Sequence, residues 1–323
     1  MKWQLVAVVS MAARVGLGAE PVLVAGVGQS ALAEARAAGL QAALAAKAGL
    51  GDTPAKLVVV FAARRQVVPE LVAGVAEVFD AKLIYGGEGY APISGAGNFP
   101  DQGHNIANGV AVLALGGALE VTVATDAVRP DDKAERFVLN GQRLGEQLKP
   151  AASKPAKGRL LFTFGNQHVG DNQPMVGGLL KALGENLPAV GAANGGPTAK
   201  EIVAGKIVTG VNVVVLLRGE FTLGVAMATP GGDLVAKTGD ALKTACAART
   251  GTPALVLMFN CGGRRGELVK QQKLADEFAK MKELVPTAPL FGLYGGGEVV
   301  TERCGVAAKG VGYSVATAAL FGE

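Results

Sequence analysis

The chain has 323 residues, of which half are hydrophobic and 18% are charged, with 47 glycines and a formal net charge of +4. This length can bury a large core, and the high apolar content without a three-residue glycine period excludes disordered and collagen-like chains. Basic residues are scattered and aromatic residues are few, so we expect no nucleic acid partner.

The first nineteen residues resemble a short secretory signal. Lys2 precedes the apolar stretch 3–13, and the small-residue run 16–19 follows Arg14. Such a pattern predicts export to the periplasm or the exterior. If residues 1–19 form an ordinary strand or helix instead, we expect a cytoplasmic protein. The apolar stretch is too short for a membrane span.

A strand–helix–strand–strand pattern begins after residue 56. The apolar run 57–61 predicts a strand, and helical spacing of apolar residues follows over 67–79. A short strand at 82–85, a glycine-rich turn at 86–89 and a strand at 109–115 complete this first unit.

Two further segments repeat the pattern. The first strand of each unit ends on a phenylalanine, at Phe61, Phe164 and Phe259. The repeat period is therefore about 100 residues, which is too long for a solenoid. The second unit is predicted to contain strands 160–164, 189–191 and 211–217, with a helix near 174–185. The third is predicted to contain strands 255–259, 291–294 and 311–320, with a helix over 267–284.

The pattern predicts an α/β fold. Apolar runs without alternation suit strands that are covered on both faces, and strand–helix–strand connections within one sheet are parallel. We therefore predict mixed, largely parallel sheets covered by helices, built from three strand–helix–strand–strand repeats.

Charged and glycine-rich segments follow the predicted strands, where ligands of α/β proteins usually bind. Glycines there let a ligand approach backbone N–H groups. The first and third units both carry an arginine pair and a glycine-rich turn with a glutamate, which we assign to the same topological position: Arg64, Arg65 and Glu88, and Arg264, Arg265 and Glu298. A solvated loop and a simple chain reversal would produce the same pattern.

These segments resemble a known family. The stretch from Leu255 through Cys261 to Arg265, followed by 291–298 with Tyr294 and Glu298, is similar to the C-terminal half of the FIST domain. More loosely, 26–30, 57–61 and 84–88 resemble its N-terminal half. The resemblance covers about 22–323 and implies an N-terminal-like domain at 20–230 and a C-terminal-like domain at 231–323.

The family resemblance implies a sensory protein that binds a small molecule, amino acids among the candidates, and that acts with a signalling partner protein. We expect Arg264 or Arg265 to hold a ligand carboxylate and Glu298 or Glu88 to hold an amine or hydroxyl. The predicted ligand-binding residues are Cys261, Arg264, Arg265, Tyr294, Gly296, Glu298, Arg64, Glu88 and His168.

Three cysteines and two histidines form no metal-binding cluster, so we predict neither metal nor cofactor. An enzyme that uses the same cleft is the alternative. Cys261 is its candidate nucleophile, with a thiol pKa lowered by the neighbouring arginines, although His104 and His168 lie in other units. Gly26-x-Gly28-x-x-Ala31 has the shape of a dinucleotide fingerprint, with Arg64 and Arg65 suited to NADP. A scaffold for another protein is a third interpretation.

Overall fold

The computed structural model describes residues 20–64, 66–95, 101–102, 105–106, 109–129, 135–196 and 198–322, with side chains omitted at 101–102 and 105–106. The predicted signal at 1–19, Arg65 and His104 lie outside the described residues.

Helices and strands alternate along the described chain. The helices are α1 (Ala35–Leu50), α2 (Pro69–Ala76), α3 (Arg136–Ala152), α4 (Asn172–Leu183), α5 (Leu234–Cys246), α6 (Gly262–Lys270) and α7 (Leu274–Leu284). The strands are β1 (Val24–Ser30), β2 (Ala55–Ala63), β3 (Ile84–Gly89), β4 (Ala91–Ser94), β5 (Asp101–Gln102), β6 (Asn105–Ile106), β7 (Val110–Gly116), β8 (Glu120–Ala127), β9 (Gly158–Gly165), β10 (Ala189–Ala193), β11 (Lys200–Val203), β12 (Lys206–Thr209), β13 (Val211–Gly219), β14 (Thr222–Ala228), β15 (Leu255–Cys261), β16 (Leu290–Gly295), β17 (Glu298–Val300), β18 (Lys309–Val311) and β19 (Val315–Phe321).

Local sequence sets the helix ends. The Glu34 carboxylate accepts the N–H of Ala37 at 2.6 Å, which caps the start of α1. Gly184 ends α4 with a φ of +77°. The predicted helix over 267–284 is two helices, because Gln272 has a φ of +58° between α6 and α7.

Three large sheets share one arrangement of four adjacent strands: β1-β7-β2-β3, β8-β13-β9-β10 and β14-β19-β15-β16. Sheet I has the order β1-β7-β2-β3-β11-β12, sheet II β8-β13-β9-β10-β17-β18, and sheet III β14-β19-β15-β16-β4. In each sheet, two strands that flank a helical connection form a parallel pair: β2 with β3, β9 with β10, and β15 with β16.

The mixed α/β class is confirmed, but the expectation that parallel pairs dominate the sheets is wrong. The other pairings described are antiparallel. The physical reason is that each unit's last strand, β7, β13 or β19, returns between two earlier strands and runs against both.

Each sheet is completed by strands from another unit. The hairpin β11–β12 joins sheet I beside β3, and β17–β18 joins sheet II beside β10. The cycle closes because β4, from the first unit, joins sheet III beside β16. The three sheets therefore interlock.

A cycle of backbone hydrogen bonds fixes the same three junctions. At each junction, an N–H just after the second strand of a parallel pair donates to a carbonyl at the end of the corresponding strand in the neighbouring unit. The bonds run from Gly195 to Glu88 (2.8 Å), from Gly296 to Ala193 (3.0 Å) and from Tyr90 to Tyr294 (2.8 Å).

The inner faces of all three sheets form one core. Alternate residues of β2 show how the strand is covered on both sides: Val59 and Phe61 belong to this core, whereas Val58 and Val60 pack beneath α1 and α2. The Phe61 ring contacts four other core phenylalanine rings, with centroids 5.0–6.3 Å apart. The phenylalanines that mark the units therefore meet at the centre.

The predicted division after residue 230 falls between β14 and α5. Since β14 pairs with β19 in sheet III, both sides of this position contribute to one sheet. The division stays a prediction.

Helices cover the outer faces at close range, and glycines make the contact. A Cβ on Gly178 of α4 would lie 2.2 Å from the carbonyl oxygen of Val138 in α3, and a Cβ on Gly141 of α3 would lie 2.0 Å from that of Met175. Backbone therefore packs directly on backbone between α3 and α4.

We expect Gly178→Ala and Gly177→Ala to change stability in opposite directions. The first pushes α3 and α4 apart and should lower the unfolding free energy by about 1–3 kcal/mol. Gly177 has no atom within 4 Å of an added Cβ, so alanine should raise it by about 0.5–1 kcal/mol through helix propensity. Denaturant unfolding of both variants measures these changes. Equal changes in the unfolding free energy would contradict the close backbone contact between α3 and α4.

Candidate functional site

Cys261 is the last residue of β15 and directly precedes α6, at its N-cap position. Its side chain is buried, and the backbone N–H groups of Gly263, Arg264 and Tyr313 favour its thiolate. Burial and the nearby Glu298 carboxyl outweigh them and raise the pKa of the thiol. The expectation of a lowered pKa is therefore wrong.

The Glu298 carboxyl lies beside this thiol, although it belongs to β17 in sheet II. It is fully buried, and its Oε2 accepts the Ser314 N–H at 3.1 Å. Its Oε1 has no hydrogen-bond partner among the described residues. Burial raises the pKa of Glu298 to about 8, against the opposing effects of the Ser314 N–H, the Arg264 charge and a hydrogen bond with the Cys261 thiol. The group is thus mainly protonated at neutral pH.

Arg264 lies in the layer between sheet III and its covering helices. Its Nη2 is 3.3 Å from Glu277 Oε1 and donates to Thr238 Oγ1 at 2.9 Å, while its Nε donates to Asn260 Oδ1 at 2.7 Å. Both charged side chains of the Arg264–Glu277 pair are fully buried. Removal of either partner from such a pair typically costs about 3–5 kcal/mol, because the other charge stays buried.

One part of the Arg264 guanidinium is not used by this network. Its Nη1 has no partner within the described part of the chain. Although Arg264 and Glu298 belong to different layers, they are close enough for Arg264 to lower the pKa of Glu298. The structure therefore brings Cys261, Arg264 and Glu298 together.

Tyr294 is buried among the same outer-layer groups. Its hydroxyl donates to Glu277 Oε2 at 2.6 Å, and burial with the nearby Glu277 carboxylate raises its pKa well above 10. The Arg265 guanidinium lies 5.8 Å from the centroid of its ring. Tyr294 is thus linked to Arg264 through the shared Glu277 carboxylate.

The exposed side of this site is apolar. Tyr313 is 56% exposed and has a φ of +57°, an uncommon conformation for a residue with a side chain. Its ring packs on the backbone of Gly263, where an added Cβ would lie 2.7 Å from a ring carbon. Val169, 49% exposed, packs in the same way on Gly312.

His168 and Gly296 meet across the junction of the second and third units. A Cβ on Gly296 would lie 2.4 Å from the His168 ring, which is half-buried there. The N–H of Gly296 is already donated to the Ala193 carbonyl. The histidine therefore packs over the glycine turn that precedes Glu298.

The first-unit candidates lie at another junction. Arg64 packs along the turn at Gly195 and is 5.6 Å from the ring centroid of Tyr90. The Glu88 carboxylate accepts the N–H groups of Val67 (3.2 Å) and Lys200 (3.3 Å), which ties the loop after β2 to β11.

The expected equivalence of Glu88 and Glu298 is wrong. Strand register places Glu88 opposite Ala62, as Tyr294 lies opposite Asn260. Glu298 lies instead on an exchanged strand. Its counterpart is Glu201, which faces Gly87 as Glu298 faces Ala192. Sequence reasoning missed Glu201, because only the strand exchange reveals it.

The glycines of the dinucleotide-like pattern have a packing role. Gly26 and Gly28 lie inside β1, and added Cβ atoms would lie 1.9 and 2.0 Å from carbonyl oxygens of α1. A phosphate-binding fingerprint requires these glycines in a turn that opens a helix. They let α1 pack closely on the strand instead.

Comparison with family models matches the FIST N domain over residues 56–232 and the FIST C domain over residues 203–301. The first match alone spans more than half of the chain. The chain belongs to the FIST family. This confirms the family resemblance of the strand-end segments. No curated protein matches the sequence.

Within the described ranges, no cluster of three or more histidine, cysteine or acidic side chains could hold a metal ion. Of the helices described, none is both long enough and apolar enough to cross a membrane.

We expect stability to fall as pH rises from about 4.5 to 8. The pKa values of Glu201 and Glu298 in the folded state, about 7 and about 8, exceed the ordinary value of 4.5. The folded state therefore binds more protons in this window, and each group should contribute a loss on the order of 3 kcal/mol. Denaturant unfolding between pH 5 and 8 measures the slope.

The double variant Glu201→Gln/Glu298→Gln should flatten this slope, whereas the exposed control Glu70→Gln should leave it unchanged. A slope that is equal in the wild type and the double variant would show that neither carboxyl is held protonated.

Proposed function

We propose that this FIST protein is a sensory protein that binds a small ligand at Cys261, Arg264 and Glu298, and that the ligand is an amino acid or a similar carboxylate. The observation that carries the proposal is a pair of buried atoms without partners, Arg264 Nη1 and Glu298 Oε1. Buried polar groups are normally hydrogen-bonded, and exceptions often mark functional sites.

The two atoms suit the two ends of a zwitterion. An Arg264 N–H can donate to a ligand carboxylate, and the Glu298 carboxyl can accept from an ammonium group. An ammonium group beside Glu298 would lower the pKa of this carboxyl, so binding near neutral pH would release a proton. Affinity is then higher at pH 8 than at pH 6.

The exposed rim supplies the apolar part of the site. Tyr313 and Val169 are solvent-exposed beside glycine backbone, where an apolar ligand side chain could cover them. Because Tyr313 has a strained backbone conformation, it is the residue that we expect to move when a ligand enters. Such a movement would present a changed surface to a signalling partner protein.

The scaffold interpretation has some support, since Glu277, Thr238 and Asn260 already fill the space around most of the Arg264 guanidinium. It does not account for the unpartnered Nη1 and Oε1 atoms. We therefore rank it below ligand binding.

The test is a thermal-stability screen with the natural amino acids, followed by calorimetric titration of any that stabilise the protein. At a hundred times its Kd, a ligand should add about 2.7 kcal/mol, a shift of several degrees. Glu298→Gln should weaken binding at least tenfold, because a neutral amide cannot balance the ammonium charge.

Glu201→Gln is the matched control, since it makes the same change at the corresponding strand position. It should retain wild-type affinity for the amino acid. If Glu298→Gln also binds as the wild type does, or if no amino acid stabilises the protein, the proposed site is wrong.

A second candidate function is a cysteine-dependent reaction in the same site. It is favoured by three backbone N–H groups near the Cys261 sulfur and by the adjacent Glu298 carboxyl, which could act as a proton carrier. The raised pKa of the thiol argues against it, because thiolate is the nucleophile.

Alkylation with iodoacetamide at pH 7 separates these two functions. We expect the exposed Cys304 to react first and the buried Cys261 to react at least tenfold more slowly, with labelling followed by peptide mass spectrometry. Cys304→Ser provides the control for assignment. Rapid labelling of Cys261, with an apparent pKa below 8, would favour the enzyme instead.

A further inference from the structure

A second buried carboxyl, Glu201, occupies the position in sheet I that Glu298 occupies in sheet II. Glu201 faces Gly87 of β3, and its Oε2 accepts the Val211 N–H at 3.4 Å. Glu298 Oε2 accepts the N–H of Ser314, the residue just before β19, in the same way. The fold therefore builds the same carboxyl pocket twice.

The two pockets differ in their charges. Arg264 lies close enough to Glu298 to lower its pKa. No lysine, arginine or histidine of the described chain forms an ion pair with Glu201, which is 1% exposed. Burial raises the pKa of Glu201 to about 7, and the nearby acid Glu88 adds a smaller effect in the same direction. A buried carboxylate without a counter-ion is unfavourable.

The polar neighbours of Glu201 offer acceptors. Asn194 is 2% exposed, and its Nδ2 donates to Glu201 Oε1 at 3.1 Å. The Oδ1 of the same amide is buried and has no partner among the described groups.

Glycine at position 87 gives the Asn194 amide its place. A Cβ on Gly87 would lie 2.3 Å from Asn194 Nδ2 and would displace the side chain. The pocket is therefore built from the end of β3 in the first unit and the turn after β10 in the second.

We propose that Glu201 and Asn194 form a second binding site, which takes a small primary ammonium group. Such a group supplies the missing positive charge to Glu201 and N–H donors to Asn194 Oδ1. A quaternary ammonium ion would leave the amide oxygen unpaired, and a neutral amide would leave the carboxylate without a counter-ion. The site is separate from the one proposed at Glu298.

The probe is methylammonium chloride, compared with tetramethylammonium chloride and sodium chloride at equal ionic strength and pH 8. At about ten times its Kd, methylammonium should raise the thermal midpoint of the full chain by at least about 2 °C more than either other salt. Calorimetric titration then gives the affinity.

The two glutamate variants assign the effect. The excess shift should disappear in Glu201→Gln and persist in Glu298→Gln, the opposite of the pattern expected for the amino acid. Asn194→Ala should weaken methylammonium binding at least threefold, and it supplies a second test if Glu201→Gln does not fold. Equal shifts with all three salts, or an excess shift that survives both Glu201→Gln and Asn194→Ala, would overturn the proposal.

Discussion

The structure depends on the exchange of edge strands between neighbouring units. β11–β12, β17–β18 and β4 each complete a sheet whose other strands come from a different unit. The closed set of backbone hydrogen bonds at Tyr90, Gly195 and Gly296 joins the units at the same strand ends. The Glu201 pocket combines residues of the first and second units, whereas Cys261, Arg264 and Glu298 all belong to the third unit and meet where its exchanged strand β17 joins β10.

The site combines two kinds of buried charge with different roles. Arg264 and Glu277 form a buried ion pair, and the Tyr294 hydroxyl donates a further hydrogen bond to Glu277. This network mainly holds α6 and α7 on sheet III. Glu298 and Glu201 lack such direct ion-pair partners among the described residues, and burial raises their pKa values to about 8 and about 7. The pairing of charge in the outer layer leaves the strand-end carboxyls as the groups available to a ligand.

Much of the fold could be predicted from the sequence, because apolar runs such as 57–61 reveal buried strands directly. The grouping of Cys261, Arg264 and Glu298 could also be predicted, because the two segments that contain them resemble parts of one family domain. Strand order was not. Local patterns carry no information on whether β17 pairs with its own unit or with β10, and that choice makes Glu201 rather than Glu88 the counterpart of Glu298. The sequence also did not show that the pairing of Tyr294 with Asn260 places the Tyr294 side chain between sheet III and its covering helices.

Strand exchange also has a consequence for biosynthesis. β4 ends at Ser94, but its partner β16 begins only at Leu290. At about 5–20 residues per second, a ribosome needs roughly 10–40 s to make the intervening chain, during which β4 has no sheet to join. Exposed strand edges invite aggregation, and proline or buried charge discourages it. Pro92 occupies in β4 the position that Glu201 and Glu298 occupy in the other exchanged strands. The exchanged strand that is made before its partner therefore carries a residue without a backbone N–H to offer to a wrong strand.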